Sequence, residues 1–294
     1  MNRVMRTLAN DCAARPGEPC DFVSIGKFPD ISGKVGSPEV LRCRNCGHGV
    51  TIPPLRDVAF LYTDRQSQDY QPDAQGLSAA IKDVAFRRQA RKLLRQLPER
   101  PRSVLDFGCG SGQFTRILGE LLPSAEIVGS DFHDAPPVGL KGRRYVPMRD
   151  LDARGRSFDL VLAMHVLEHD DDSEGLLSRI AAMARPGGVV VIEVPHVDCV
   201  WNRLLGRKWD AWYVPYHRTH FTRASLRHAL QRAGLDVIAM HDATVPTMGR
   251  TLANVFRSRN NLLWLLAGIV LHPIQWLGEK LSGQPSAIRI IARV

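Results

Sequence analysis

The segment Val104–Gly112, VLDFGCGSG, constrains this chain more than any other stretch. An apolar run, Ser103 to Leu105, delivers an acid, Asp106, at its C-terminal end, and glycines follow at alternate positions: Gly108, Gly110 and Gly112. Phe114, Ile117, Leu118 and Leu121 then recur at helical spacing. A strand that stops at an acid and turns through glycine into a helix forms the ligand crevice of a doubly wound α/β sheet. Glycine is needed there because the backbone must turn tightly and let a ligand lie against it.

The rest of the chain repeats that grammar. Glu126–Asp131, EIVGSD, carries an acid to the end of a second strand, where it can accept hydrogen bonds from ribose hydroxyls or cap a helix. In Ser157–His169, SFDLVLAMHVLEH, Phe158 to Ala163 predicts a buried parallel strand and Met164 to His169 the turn after it. Arg185–Gly188, RPGG, predicts a tight turn feeding a strand over Val189–Val194. Thr222 caps a helix bearing Leu226, Ala229, Leu230 and Ala233, which Gly234 ends. Leu235–Met240 and Ala287–Val294 then read as strands.

In this order, the elements resemble the class I S-adenosylmethionine-dependent methyltransferases of small-molecule type (methyltransferase-23-like), whose first motif is acid-x-Gly-x-Gly-x-Gly. The nicotinamide fingerprint, G-x-G-x-x-G, would set the third glycine one residue later. The resemblance spans about residues 64–294. It implies a Rossmann-like, doubly wound, seven-stranded sheet whose last strand, Ala287–Val294, is antiparallel. S-adenosylmethionine is the implied cofactor, held at Asp106, Gly108, Gly110 and Gly112. Asp106 would serve its ammonium or sulfonium side, or cap the turn. Asp131, with Phe132 beside it, would take the ribose, and Asp150 and Leu151 the adenine amine and ring face. His165 would stand at the crevice edge, and His169 would hold the loop that bounds the adenine pocket.

The acceptor side is expected in Pro195–Phe221, rich in aromatic residues and histidine. His217–Thr222, HRTHFT, resembles the H-x-x-x-F-S/T element of many relatives. Trp212, Tyr213, Tyr216 and His220 are the expected substrate contacts. A hydroxyl acceptor needs its proton removed, and histidine is the natural base near neutral pH; His217 is the first choice and His165 the second.

Residues 1–56 form a Pro/Gly-rich segment holding Cys12, Cys20, Cys43 and Cys46. Cys43-x-x-Cys46-Gly has the form of a zinc knuckle. Cys12 and Cys20 lie farther apart than a C-x-x-C pair, leaving two readings: structural zinc, or a degenerate ribbon with free thiols. Nothing in the sequence suggests a catalytic metal. Leu77–Leu97 predicts a helix with Phe86, Ala90, Leu93, Leu94 and Leu97 inward and Arg87, Arg88, Arg91, Lys92 and Arg95 outward. In relatives such a helix packs beside the cofactor, and Asp69–Tyr70 can close over it. Within the methyltransferase domain, 64–294, residues 246–286 read as an apolar helical insertion broken at His272–Pro273. It is too short to span a bilayer, so it covers the pocket, pairs two copies, or rests on a membrane through 262–277 with help from Arg250, Arg257 and Arg259.

No N-terminal signal region is visible, so a cytoplasmic chain is expected, membrane-associated if 262–277 rests on a bilayer. Three function classes follow. The first methylates a small molecule, a hydroxyl on a sugar, glycan precursor, quinone or lipid-linked metabolite. The second modifies RNA, suggested by the net charge of +9. Nucleic acid is nonetheless not the expected partner: Met164-His165-Val166 replaces the Asn/Asp-Pro-Pro-Tyr element, and no Pro-Cys nucleophile appears. The third is a non-catalytic scaffold in which the cofactor-binding fold serves assembly; intact Asp106, Gly108, Gly110 and Asp131 argue against it, because such a scaffold need not keep them.

Overall fold

The computed structural model describes residues 11–55, 57–63, 77–151, 157–256, 258 and 261–294; the expectations for Asp69–Tyr70, Arg257 and Arg259 lie outside them. Three strands open the chain: β1 (Phe22–Lys27), β2 (Glu39–Cys43) and β3 (Gly49–Ile52). Then come α1 (Leu77–Gln96), β4 (Ser103–Phe107), α2 (Gln113–Leu121), β5 (Glu126–Ser130), β6 (Arg144–Tyr145), β7 (Phe158–Met164), α3 (Ser173–Met183) and β8 (Ala184–Pro195). The distal third holds α4 (Val200–Leu205), β9 (Thr219–His220), α5 (Arg223–Arg232), β10 (Asp236–Ala243), α6 (Met248–Val255), α7 (Leu262–Ser282) and β11 (Ala287–Arg293).

Seven strands form one sheet in the order β10-β11-β8-β7-β4-β5-β6. Strands β4 to β8 run parallel, and β11 is antiparallel to both of its neighbours. This is the expected doubly wound sheet. The chain leaves β4 for β5 on one side and returns as β7 on the other, so the loops beyond these strands part into a crevice. Alternate residues fill the two faces. Val104, Leu160, Leu162, Val189 and Val191 meet Ala90 and Leu93 of α1 and Ile117 and Leu118 of α2. Leu105, Phe107, Val161, Ala163, Val190 and Ile192 meet Leu177 and Ile180 of α3 and Leu226 and Leu230 of α5. Each fully buried side chain of this size contributes roughly 1.5–3 kcal/mol.

Arg185–Gly188 makes the expected tight turn within the first residues of β8: Gly187 takes φ 75°, a Cβ on Gly188 would lie 2.8 Å from Arg185 O, and the pairing with β7 jumps from Ala184 to Val189. The C-terminus holds it there: Gly187 N–H donates to Val294 O, and Val294 N–H donates to Gly188 O, each at 3.0 Å. One local expectation fails: helix α7 runs unbroken through Pro273. An interior proline costs about 3 kcal/mol, and a buried network beyond it offsets the loss. Gln275 Nε2 donates to Val245 O at 2.7 Å, while Glu279 accepts from Thr244 Oγ1 at 2.7 Å and from Ser286 N at 3.0 Å. The outer face of α7 exposes Leu263, Val270, Ile274 and Leu281. Among the described residues no helix is long and apolar enough to cross a membrane.

The N-terminal strands share a sheet with the distal half. The order is β1-β2-β3-β9, with Gly49 paired to His220 and Val50 to Thr219. Phe28 and Val40 pack with Trp209, Trp212 and Val214. The turn at Cys43–Cys46 docks on the start of α5, where Thr222 Oγ1 donates to Cys46 O at 3.0 Å.

Candidate active site

Beyond Phe107 the backbone turns through Gly108 (φ 77°) and Gly110 (φ 53°) to Gly112 (φ 74°), the N-cap of α2. The glycines differ in purpose. A Cβ on Gly108 would lie 2.4 Å from Val166 Cγ2, and one on Gly112 would lie 2.8 Å from Leu140 N. A Cβ on Gly110 would meet nothing within 4 Å. Gly110 therefore presents bare backbone to a cavity of about 610 Å³, which Phe107 and Gly108 also line. That open backbone fits a ligand laid across it.

Asp131 lines the same cavity and is 3% exposed. Its Oδ2 accepts from Gly110 N and its Oδ1 from Phe132 N, each at 2.8 Å. Phe132 also lines the cavity. Asp106 turns instead to α2, where its Oδ2 accepts from Thr115 Oγ1 at 2.5 Å, and it is not a lining residue. Burial, reinforced by the Asp131 charge and opposed by Thr115, pushes its carboxyl up to about 6. This bond ties the end of β4 to α2; it is not a helix cap, since the N-cap Gly112 receives no side-chain capping bond. Asp150 and Leu151 do not line the cavity; Met148 does. The 3-10 turn Met148–Asp150 spreads successive side chains about 120° apart, leaving Asp150 exposed beside Arg149 and Leu151 in the core.

The opposite wall carries the histidines. His165 lies between two carboxylates, Nδ1 3.3 Å from Glu168 Oε1 and Nε2 3.1 Å from Glu193 Oε1. Burial opposes its charge, but the two glutamates outweigh it and raise its pKa to about 10. His217 is the reverse case. Its Nδ1 lies 2.8 Å from Ala211 O, and burial, then the neighbouring His169 and His220, push its pKa well below the ordinary value. Its Nε2 lies 3.9 Å from Glu168 Oε1. Glu168 is 1% exposed, and its Oε2 has no hydrogen-bond partner among the described residues. Glu168, His165, His169 and His217 all line the cavity. Glu168, His169 and His217 also bring one ligand atom each within 4.8 Å of one another, a spacing that a metal ion would fit.

Of the expected substrate contacts, Tyr213 lines the cavity and three others do not. Trp212 packs on Phe28 at 5.3 Å and donates from Nε1 to Asn202 Oδ1 at 2.9 Å. His220 Nε2 lies 2.9 Å from Thr51 Oγ1. Tyr216 stacks behind Tyr213 at 4.9 Å. Trp212 and His220 belong to the small sheet and its roof, because β9 draws their segment against the N-terminal strands, whereas Tyr216 packs behind the cavity wall between Tyr62 and Tyr213. Sequence reasoning missed Tyr62, Thr247, Arg250 as a pocket residue, and Glu168. Tyr62 comes from a 3-10 turn, Ala59–Tyr62; its OH lies 2.8 Å from His169 Nδ1 and its ring 5.3 Å from Phe132. The isolated apolar run AFLY was the signal for it, and Glu168 stood inside the LEH triplet.

Away from the cavity, Cys12, Cys20, Cys43 and Cys46 place their sulfurs all within 4.8 Å of one another. Cys12–Cys43 and Cys20–Cys46 are 3.7 and 3.8 Å apart, and none is in a disulfide. A compact loop corrects the irregular spacing, with Cys12 N donating to Glu18 O at 2.8 Å.

Comparison with known proteins bears on the same region. A family model described as Methyltransferase domain matches residues 82–240. Trans-aconitate 2-methyltransferase of Deinococcus radiodurans is 35% identical over 123 residues, which is 40% of this chain and 47% of that protein. The match thus spans about half the length of that curated relative. Ubiquinone biosynthesis O-methyltransferase of Bradyrhizobium sp. is 27% identical over 214 residues, 70% of each chain. Among solved structures, 1,6-didemethyltoxoflavin-N1-methyltransferase of Burkholderia thailandensis, with bound 1,6-didemethyltoxoflavin and S-adenosylhomocysteine, superposes with a TM-score of 0.51. It is 20% identical and covers 84% of this chain and 95% of its own.

Proposed function

This chain belongs to that methyltransferase domain family, and from that premise we propose that it methylates a hydroxyl of a small molecule with S-adenosylmethionine. The acceptor we propose is a sugar, glycan precursor, quinone or lipid-linked metabolite. One observation carries the reading: Gly110 and Asp131 share a single cavity with Tyr213 and His217. When bound, the cofactor supplies a methyl group made electrophilic by its sulfonium charge. Asp131 holds the ribose. Its two backbone hydrogen bonds fix the carboxylate, and each oxygen accepts more than one donor. In-line transfer then asks mainly for positioning, to which Phe132 and Tyr213 contribute.

His217 takes the proton of the acceptor hydroxyl. Its Nδ1 faces a carbonyl and so carries the hydrogen, which leaves the lone pair on Nε2. The imidazolium formed there faces Glu168 at 3.9 Å. His165 does not suit the part, because a group already held protonated has no lone pair to offer. Asp131→Ala is expected to weaken cofactor binding at least tenfold by calorimetry, and His217→Gln to lower kcat with the cofactor Kd unchanged. An unchanged cofactor Kd in the first variant, or full turnover in the second, overturns the assignment.

We also propose structural zinc at Cys12, Cys20, Cys43 and Cys46. Tetrahedral zinc with bonds of about 2.3 Å sets its sulfurs about 3.8 Å apart, close to the 3.7 and 3.8 Å separations here. Metal analysis of the purified chain should find one zinc per molecule, lost in Cys43→Ser.

A further inference from the structure

Beyond His217, the cavity has a wall that the proton transfer does not use. Val245, Thr247 and Arg250 form it around the start of α6, with Ser286 beside them. Thr247 is the N-cap of α6, yet its side chain makes no capping bond. It is 2% exposed, and its Oγ1 has no hydrogen-bond partner among the described residues. A buried hydroxyl left unpaired is costly unless a ligand satisfies it. Three residues on, Arg250 lines the same wall. Its Nε donates to Asp210 Oδ2 at 2.6 Å, which positions the guanidinium. Among the described residues its two terminal nitrogens have no partner, and 54% of its side chain stays exposed. Asp210 is 7% exposed and spends its charge on Arg250, with Asn254 Nδ2 3.5 Å from its other oxygen. The N-terminal end of α6 adds the positive end of its dipole.

We propose that this wall is an anion subsite, in which a carboxylate or phosphate of the acceptor is held by the Arg250 terminal nitrogens and the Thr247 hydroxyl. The inference rests on the methyltransferase reading and narrows it: the acceptor is a hydroxylated molecule that carries a negative charge. Arginine suits the task because its planar fork meets two oxygens at once. The subsite also orients the molecule, since anchoring the anion at α6 limits which hydroxyl can reach His217.

The test titrates inorganic phosphate, and separately citrate, into the full chain saturated with S-adenosylhomocysteine, at constant ionic strength, by calorimetry. Either anion is expected to bind once per chain. Arg250→Ala should weaken it at least tenfold, Arg250→Lys less, and Thr247→Val severalfold, with S-adenosylhomocysteine affinity held within twofold. Tighter binding of phosphate points to a phosphorylated acceptor, and tighter binding of citrate to a carboxylic acid. The proposal is overturned if neither anion distinguishes wild type from Arg250→Ala. It is equally overturned if Arg250→Ala weakens S-adenosylhomocysteine tenfold, since the arginine then serves the cofactor. Repeating the titration without S-adenosylhomocysteine separates the two readings, because failure to bind the cofactor sinks the methyltransferase reading while anion binding is still measured.

Discussion

The two walls of the cavity are built in opposite ways. The cofactor wall is local: Gly108, Gly110 and Asp131 all belong to the unit running from β4 through α2 to β5. The proposed acceptor wall gathers Tyr62, Glu168, Tyr213, His217, Thr247 and Arg250 from segments scattered along the chain. What closes it is long-range bonding. Strand β3 pairs with β9, and fully buried Arg218 ties Asp171, at 3.0 and 3.2 Å, to Thr51 O at 2.9 Å. A wall made by one short turn and a wall made by distant segments should fail independently, and that separation can be tested.

The largest effect is expected at the closure. Arg218→Ala removes the guanidinium that pairs the Asp171 carboxylate and donates to the carbonyls of Thr51, Pro53 and Pro215, at a cost of about 3–5 kcal/mol for the broken buried ion pair, read as a lowered urea midpoint. Gly108→Ala attacks the other wall. Its positive φ and the 2.4 Å approach to Val166 should lower cofactor affinity by about a hundredfold, equivalent to about 2.7 kcal/mol, while β3–β9 amides keep their protection from hydrogen exchange. Stripping the proposed zinc with a strong chelator sharpens the contrast. Acceptor turnover should fall severalfold with the cofactor Kd within twofold, because the turn at Cys43–Cys46 docks on Thr222 and not on the glycine turn.

The smallest effects are in pH. Burial keeps His217 neutral well below its ordinary 6.5, so turnover should stay flat as pH falls through 6.5; an acid limb centred at 6.5 or above would contradict its role. His165 has the opposite sign. Its folded pKa of about 10 exceeds the ordinary 6.5, so it contributes stability that is fully present below pH 6.5 and lost as pH rises through 10. His165→Gln should flatten stability across that window in denaturant titrations.

The same contrast explains what the sequence disclosed. That Gly108, Gly110 and Asp131 meet at one crevice was legible because the turn is written in adjacent residues, and so was the doubly wound class of the large sheet with its antiparallel last strand. Trp212 and His220 lie outside the cavity, and an aromatic segment looks alike in sequence whether it roofs a sheet or lines a pocket. Only the β3–β9 pairing, between residues far apart in the chain, decides that. Arg250 was legible as a charge but not as a wall, since its place depends on Asp210 from another segment. Asp150 missed the cavity because one turn of 3-10 helix swings it outward.

Methyl transfer to a small hydroxylated molecule is tested most directly with S-adenosylmethionine labelled in its methyl group, incubated with the pure chain and a fractionated extract of its host. Label in the aqueous or lipid metabolite fraction, in an alkali-stable ether, is the predicted result. Label confined to RNA, or absent from every fraction while the cofactor binds, would contradict it.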